Sequence, residues 1–325
     1  MDRRAFIGGV AGGLLVVPLV ARAQQLGKVY RIGILEAIPA AQNSANLVAL
    51  RNGLRDLGYV EGRNLIIEYR SADGRAERFP ELASDLVRLK VDLIVTRGTP
   101  AAKATKNATT TIPVVMATMG DPRSIVASFA QPGGNITGVT TFSTEFTAKR
   151  VELLRELVPN LARVALLHNM GNPAAPPEWE EIKTATRSLG LQAELLDVRS
   201  QGDLGPAFDL AVRKHVDALI IGADGFTQMH QQVIVASLAR NRLPAAYPAR
   251  EFVEAGGLIA YAVNYPDLYF RLASFADKVF KGAKPGELPV EQPTKFELVI
   301  NLKTAKALGL TIPQSLLLRA DEMIQ

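Results

Sequence analysis

The chain of 325 residues contains no cysteine and only three histidines. Without cysteine it has neither a disulfide framework nor a thiolate for catalysis, and a lipoprotein anchor, which needs a cysteine, is excluded as well. His168, His215 and His230 are scattered and lack a metal-ligand spacing such as HExxH. A P-loop, a GxGxxG fingerprint and a GxSxG elbow are also missing. We therefore expect no catalytic residue, no metal and no cofactor.

Strong charge of one sign is lacking too. The formal net charge is +5, and no Lys/Arg block stands out, so we expect no nucleic-acid partner. Hydrophobic residues make up 48% of the chain, which is enough to bury a large core. At roughly 150 residues per domain, this length predicts two lobes.

A long apolar run occurs only at the start of the chain. The pair Arg3-Arg4 precedes the apolar stretch 6–20, and Ala21-Arg22-Ala23 follows it. A basic start, a hydrophobic middle and an A-x-A site are typical of a secretory signal. We predict that residues 1–25 are a signal peptide, cleaved near Ala23, and that the mature protein is periplasmic. The start RRAFI also resembles a twin-arginine signal, so the export route stays open.

Short apolar runs alternate with amphipathic segments, and this order occurs twice. RIGIL at 31–35 is matched by RVALL at 163–167, and VDLIV at 91–95 by VDALII at 216–221. The pattern predicts parallel sheets with right-handed crossovers, arranged as two doubly wound (Rossmann-like) α/β lobes joined by hinge strands. The predicted lobes are 26–142 with 266–288 and 143–265 with 289–325.

The segment 91–122 carries the strongest local signal for a binding site. Two apolar strands there end in loops rich in Gly, Thr, Asp and Pro, and Thr99-Pro100 predicts a helix start, with Thr99 as the cap. Ligands of open α/β sheets bind outside the carboxyl ends of the strands. A helix N-terminus favours an anion such as a carboxylate. The alternative is that Thr99 only caps its helix.

Several stretches carry a family resemblance. They are LGYVEGRN at 57–64, IPVV at 112–115, QPGGNITG at 131–138, LPVEQPTKF at 288–296, NLKTA at 301–305 and RADE at 319–322. Together they resemble type I periplasmic binding proteins, the solute receptors of ATP-binding-cassette (ABC) importers, and more narrowly the family that includes tryptophan- and tyrosine-type receptors. The resemblance implies a monomeric receptor that closes on a small-molecule ligand by hinge motion and docks on a permease in the inner membrane.

By analogy with amino-acid receptors of this fold, the predicted helix start holds a ligand carboxylate. This group comprises Gly98, Thr99, Pro100 and Ala101. Asp121 or Asp224 then faces a ligand ammonium group, although either aspartate can instead hydrogen-bond its own turn. Arg97 can pair with an acidic ligand bidentately, or it can be solvated.

Other candidates lie at the remaining strand ends. Glu36 and Thr118 follow strands of the first lobe, and Asn169 follows the first strand of the second lobe; Glu36 is either a ligand contact or part of a solvated rim. An aromatic wall is expected from Phe226, Tyr247 and Tyr261, with core packing as the alternative for each. Trp179 is either a lid residue or a packing residue at a helix start.

These observations favour a solute-binding receptor that encloses a small carboxylate-bearing ligand, either an amino acid or an aromatic acid. One alternative is an exported enzyme that acts on a small molecule in the interlobe cleft. Another is a ligand-sensing regulator of the same fold, which the export signal disfavours.

Overall fold

The computed structural model describes residues 28–120, 122–141, 144–293 and 295–325. The predicted signal peptide lies outside these residues, and so does Asp121. Within the described ranges, no helix is both long and apolar enough to cross a membrane.

Strands and helices alternate along most of the described chain. The strands are β1 (Tyr30–Glu36), β2 (Leu65–Ser71), β3 (Leu93–Arg97), β4 (Val114–Thr118), β5 (Ile136–Gly138), β6 (Arg163–His168), β7 (Gln192–Asp197), β8 (Ala218–Ile221), β9 (Ala245–Tyr247), β10 (Ile259–Val263), β11 (Phe296–Asn301) and β12 (Glu322–Ile324). The helices are α1 (Ser44–Asp56), α2 (Phe79–Arg88), α3 (Thr99–Ala108), α4 (Thr144–Leu157), α5 (Ala175–Ser188), α6 (Gln201–Arg213), α7 (Gly225–Met229), α8 (Gln231–Arg240), α9 (Arg250–Glu254), α10 (Tyr265–Phe280), α11 (Leu302–Ala307) and α12 (Gln314–Leu317).

The first sheet has the strand order β2-β1-β3-β4-β5, and its neighbours pair in parallel. Its central strands read as unbroken apolar runs because helices cover both faces. Ile32 and Val95 belong to the core cluster that includes α1 and α10, whereas Leu35 and Ile94 belong to the cluster that includes α2 and α3. The alternation of side chains along each strand thus divides the core of this lobe into two layers.

The second sheet has the order β12-β11-β10-β9-β8-β6-β7. It departs from the predicted parallel sheet at one place, because β11 pairs antiparallel with β10, with Val263 opposite Phe296. The physical reason is the path of the chain. The chain leaves the carboxyl end of β10 for the first lobe, forms α10 there and returns to the second sheet at the same end of β10. Strand β11 therefore runs in the opposite direction to β10.

Helix α10 packs on α1 of the first lobe. Gly53 makes the close approach possible, because a Cβ at that position would lie 2.6 Å from the carbonyl oxygen of Phe270. The chain passes between the lobes after β5, after β10 and before β11, and Val139 forms a bridge with Glu291 where two of these connections run side by side. We retain the lobe boundaries drawn from the sequence as a proposal.

Two helix boundaries differ from the sequence prediction. The sequence pattern predicts one helix over 228–241, whereas the structure has α7, which ends at Met229, and α8, which begins at Gln231. The pattern also predicts a helix from Pro206, whereas α6 begins at Gln201, because the Asp203 carboxylate accepts a hydrogen bond from the Ser200 backbone N–H at 2.8 Å and stabilises an earlier start.

Candidate functional site

The carboxyl ends of the two sheets face each other and enclose a cavity of about 150 Å³. Glu36, Arg97 and Thr118 reach it from the ends of β1, β3 and β4, and Asn169 and Asp224 from the loops that follow β6 and β8. Strand ends of parallel sheets are the usual ligand sites of this architecture. A cavity at this position, between two sheets, suits a small-molecule ligand.

The rims of the two lobes are in contact around this cavity. A Cβ built at Gly225 would lie 2.3 Å from the Cβ of Ala37, and one at Gly74 would lie 3.1 Å from the Cβ of Met229. A Cβ built at Gly120 would lie 3.0 Å from the Cβ of Ala174. Loops that follow strands of the first sheet therefore touch loops and helix starts of the second on several sides of the cavity.

The predicted helix start is present, with a different capping residue. Helix α3 begins at Thr99 itself, and its N-cap is Gly98, whose φ of 83° is a conformation that glycine adopts readily. Thr99 is 1% exposed and lines the cavity together with Gly98 and Pro100. Ala101 points into the core cluster beneath α3 and is absent from the cavity lining among the described residues.

Glu36 is a buried carboxyl group, not part of a solvated rim, with 1% of its surface exposed. Its Oε1 accepts hydrogen bonds from the Tyr269 hydroxyl and from Asn43 Nδ2, the latter at 3.3 Å. Its Oε2 has no hydrogen-bond partner among the described residues. Burial raises the pKa of Glu36 to about 7 although the positive charge of Arg97 acts in the opposite direction.

Arg97 lines the same cavity, and its guanidinium lies over the ring of Tyr265, 4.0 Å from the ring centroid. Its Nη1 is shielded from solvent and has no hydrogen-bond partner within the described part of the chain. A buried guanidinium donor of this kind favours a ligand oxygen, because an unmade hydrogen bond to a charged group is costly. The alternative that Arg97 is solvated is therefore not supported for this nitrogen.

On the lobe 2 side, Asp224 is engaged in local structure. Its Oδ1 accepts from the Phe226 backbone N–H at 2.7 Å and caps α7, and its Oδ2 accepts from Asn172 Nδ2 at 2.7 Å. Asn169 uses its Oδ1 in a similar turn, accepting from the Gly171 N–H at 2.9 Å. Both residues line the cavity, and for Asp224 the hydrogen bond to its own turn, which the sequence analysis gave as the alternative, is present.

A charged cluster beside the cavity was not predicted from the sequence. Glu178 lies 3.2 Å from His168 Nε2 and 3.6 Å from Arg150 Nη1, and Arg150 also donates to the Tyr261 carbonyl at 3.1 Å. Burial alone would lower the pKa of His168, but the adjacent Glu178 carboxylate outweighs it and raises that pKa. The residues come from β6, α4 and α5, and no spacing in the sequence marks them as neighbours.

The aromatic candidates divide between cavity and core. Phe226 lines the cavity. Tyr247 stacks on Phe252 at 5.2 Å, and Tyr261 packs near Phe146 at 6.0 Å; neither tyrosine is among the described residues that line the cavity. The aromatic side chains that the sequence analysis missed are Phe79, Phe146, Phe252 and Tyr265. Their positions at helix starts or on inner helix faces look like ordinary core positions in the sequence.

Trp179 is neither a cavity residue nor at a helix start. Helix α5 begins at Ala175, so the tryptophan lies in the second turn, where it packs against the core cluster of lobe 2 and beneath Lys183 Nζ, which is 5.7 Å from its ring centroid. The described residues contain no group of three or more His, Asp or Glu side chains placed to hold a metal ion.

Comparison with known proteins decides the family. The family of ABC transporter substrate binding proteins matches residues 31–324, which is nearly the whole described chain. The chain belongs to this family. Members are receptors that present a solute to a transporter, so the protein is a transport component and not an enzyme, as the sequence analysis predicts.

One relative of this substrate-binding protein is named for its ligand, and another has been solved with a ligand bound. It is 26% identical over 259 residues to a tyrosine-binding protein of Clostridioides difficile. That match covers 79% of this chain and 74% of the relative. It is 29% identical, with a TM-score of 0.83, to an ABC domain from Streptococcus pneumoniae solved in complex with L-Trp, and the match covers 91% of this chain and 99% of that one.

The fold of the substrate-binding protein is the type I periplasmic binding protein fold, which confirms the predicted fold class. The leucine-binding protein LivK of Thermotoga maritima shares it, with a TM-score of 0.55 and 15% identity over 80% of this chain and 78% of that one. At that identity the likeness concerns the fold alone.

Proposed function

We propose that this substrate-binding protein captures an aromatic α-amino acid as a zwitterion in the closed interlobe cavity. The observation that carries the proposal is a pair of side-chain atoms of opposite character. Glu36 Oε2 and Arg97 Nη1 both belong to cavity-lining residues, both are buried, and neither has a hydrogen-bond partner among the residues described. A buried polar atom without a partner is costly, and one zwitterion supplies both partners.

The ligand carboxylate belongs near Arg97 and the start of α3. An arginine offers a planar, charged donor to a carboxylate, and the helix N-terminus adds backbone N–H groups and a favourable dipole. Thr99 lines the cavity at this helix start. The ligand ammonium belongs at Glu36, which takes the role that the sequence analysis gave to Asp121 or Asp224.

The ligand side chain belongs against the aromatic part of the lining. Phe79, Phe226 and Phe252 reach the cavity from both lobes, and aromatic pairs add about 0.5–1.5 kcal/mol beyond their area burial. The names of the relatives, a tyrosine-binding protein and an L-Trp complex, support the same class of side chain.

The wider function follows from this binding mode. We propose that the protein is exported to the periplasm, acts there as a monomer, and closes about its hinge segments when the ligand bridges the lobes. The closed form is then the shape that docks on the permease in the inner membrane and delivers the amino acid.

Isothermal titration calorimetry and thermal shift of the mature protein test the ligand class. The panel contains L-tyrosine, L-tryptophan and L-phenylalanine, together with tyramine and tryptamine, which lack the carboxylate, and indole-3-propionate, which lacks the ammonium. We expect binding of at least one amino acid, with stabilisation of about 2.7 kcal/mol at a hundredfold excess over Kd. Equal binding of an amine or acid analogue, or binding of no amino acid, would contradict the proposal.

Thr99→Leu tests the position of the helix start. Thr99 is buried beside the cavity, so the larger side chain should weaken ligand binding while the lobe stays folded. Thr184→Leu on the exposed face of α5 is the matched control. Unchanged affinity in Thr99→Leu would show that the ligand does not approach this end of α3.

A further inference from the structure

The two oxygens of the Glu36 carboxyl group have different environments. Oε1 accepts from the Tyr269 hydroxyl of α10 and from Asn43 Nδ2. Oε2 receives no hydrogen bond from any residue that the structure describes, and the side chain is almost completely buried at the edge of the cavity. One half of the carboxyl group is thus held in place, and the other half is left for a proton or for a ligand.

The residues around Glu36 do not place a cation in direct contact with its carboxyl group. The titratable and charged groups that face it or act on its neighbours are Tyr69 of β2, Arg97 of β3, Tyr269 and Tyr265 of α10, Asp73 in the loop after β2, and Glu251 of α9. The guanidinium of Arg97 is held over the Tyr265 ring. An ionised carboxylate here is shielded from bulk solvent and has no directly bonded cation among the described residues, which disfavours the charged form. Burial accordingly brings the pKa of Glu36 to about 7.

We propose that Glu36 is protonated on Oε2 in the empty receptor at and below neutral pH, and that the ligand ammonium displaces this proton into solvent when it binds. The inference rests on the proposed function, since it assumes an amino-acid ligand with its ammonium at Glu36. No covalent bond other than the carboxyl O–H is broken, and the proton leaves to water or buffer. Ligand and proton therefore compete for the same oxygen.

This competition makes the receptor selective for ligands that carry a positively charged amino group. A neutral or acidic molecule of similar shape cannot displace the proton, because it brings no positive charge to stabilise the carboxylate. The proposal also assigns a positioning role to Tyr269, whose hydroxyl fixes Oε1 and thereby turns Oε2 away from α10. A hydrogen bond donated to a carboxylate favours its charged form, so loss of this hydroxyl should move the titration to higher pH.

The test is calorimetric titration with L-tyrosine or L-tryptophan, whichever the wild type binds, in phosphate and in imidazole buffers, both of which buffer across the range used. The difference in heat between buffers of different ionisation enthalpy counts the protons released. We expect about 0.9 proton at about pH 6, about 0.5 at about pH 7 and about 0.1 at about pH 8, with affinity about tenfold weaker at the lowest pH than at the highest. The free amino acid keeps its ammonium group charged over this range.

Three variants separate Glu36 from the other groups that titrate in the same range. Glu36→Gln should abolish proton release. Glu181→Gln is the matched control, because burial also raises the pKa of Glu181 to about 7 and that residue lines the cavity from α5; proton release should persist there. Tyr269→Phe keeps the buried ring volume and should shift the half-release point to higher pH, whereas a purely structural role would change affinity equally at every pH.

The outcomes separate this inference from the proposed function. Amino-acid binding without proton release at about pH 6, or release that persists in Glu36→Gln, overturns the inference and leaves the ligand class intact. Failure of every amino acid to bind overturns the proposed function and the inference with it. Release that disappears only in Glu181→Gln assigns the titrating group to α5 and likewise overturns the inference.

Discussion

Gly225 at the start of α7 packs directly against Ala37 at the end of β1, so closely that a Cβ on the glycine would lie 2.3 Å from the alanine Cβ. One residue belongs to the second lobe and the other to the first. The contact stands beside the cavity, because both residues also line it. The absence of a side chain at Gly225 is therefore what permits the rims to meet at this point.

Gly225→Leu should hold the lobes apart. Its backbone does not have a positive φ, so the new side chain is tolerated in the open form but has no room in the closed one. We expect a loss of at least about tenfold in ligand affinity, equivalent to about 1.4 kcal/mol, with little change in the melting temperature of the empty protein. Gly205→Leu in α6, where a Cβ meets nothing within 4 Å, is the control. Retained affinity in Gly225→Leu would mean that closure at this contact is not needed for binding.

Arg97→Gln should remove the proposed partner of the ligand carboxylate. Loss of one member of a buried charge pair costs about 2–5 kcal/mol, so we expect affinity for the amino acid to fall by about thirtyfold or more in calorimetric titrations. Arg88→Gln serves as the control, since that side chain is 71% exposed and pairs with Asp85 on the surface of α2. If both variants bind like the wild type, the carboxylate lies elsewhere.

Glu36→Gln should alter how the stability of the empty protein depends on pH. The unfolded carboxyl ionises near its ordinary pKa of 4.5, and the folded one near a pKa of about 7. Stability from this group is therefore fully present below pH 4.5 and is lost as the pH rises through about 7, by about 3 kcal/mol. Glutamine cannot ionise, so the variant should gain about that much relative to wild type between about pH 4.5 and about pH 8 in urea unfolding.

The exposed Glu61, which pairs with Arg51 on the surface, offers the comparison for this measurement. Glu61→Gln should follow the wild-type curve at every pH. A constant difference between Glu36→Gln and wild type across the range would show that the pKa of Glu36 is the same in the folded and the unfolded protein.

Glu178→Gln should destabilise lobe 2. The carboxylate is the shared partner of His168 and Arg150, whose side chains are 0% and 7% exposed. Breaking a buried pair from one side leaves charge uncompensated and costs about 3–5 kcal/mol, which chemical denaturation would detect. Glu180→Gln on the same helix, at a side chain that is 70% exposed, should change stability by less than about 0.5 kcal/mol. Equal stability of the two variants would show that the cluster is neutral or open to water.

Phe226→Ala and Tyr247→Phe together test which aromatic side chains meet the ligand. Phe226 lines the cavity, so its removal should weaken amino-acid binding by about tenfold. Tyr247 stacks in the core on Phe252, and replacing only its hydroxyl should leave the affinity unchanged. Calorimetric titration of both variants measures the two affinities. Weaker binding in Tyr247→Phe with unchanged binding in Phe226→Ala would place Tyr247, and not Phe226, at the ligand.

Local patterns in the sequence were sufficient for most of the fold. Apolar runs such as 163–167 became buried strands, and the leucines of α1 and α10 became the interface between those two helices. These features depend on side chains close together in the chain, which is why periodicity reveals them. The antiparallel pairing of β10 with β11 depends instead on a long excursion through the other lobe, which leaves no periodic trace.

The sequence likewise predicted only some of the residues that line the cavity. Gly98, Thr99 and Pro100 were found because a strand that ends in Gly-Thr-Pro before a helix is a local signal. The roles of Glu36 and Arg97 were left open, since burial of a charged side chain depends on what the rest of the chain places around it. Tyr269 lies 233 residues from Glu36 in sequence, and nothing near either residue indicates the contact.

By itself, the sequence determined two α/β lobes, the strand ends that line the cavity between them, and the family. Each of these follows from neighbouring residues or from sequence stretches that are specific to the family. Only the tertiary structure decided which charged groups remain unpaired in the cavity. That outcome depends on which partners the fold brings to Glu36, Arg97 and Glu178, and hydrogen bonding and desolvation act on distances in space, whatever the separation along the chain.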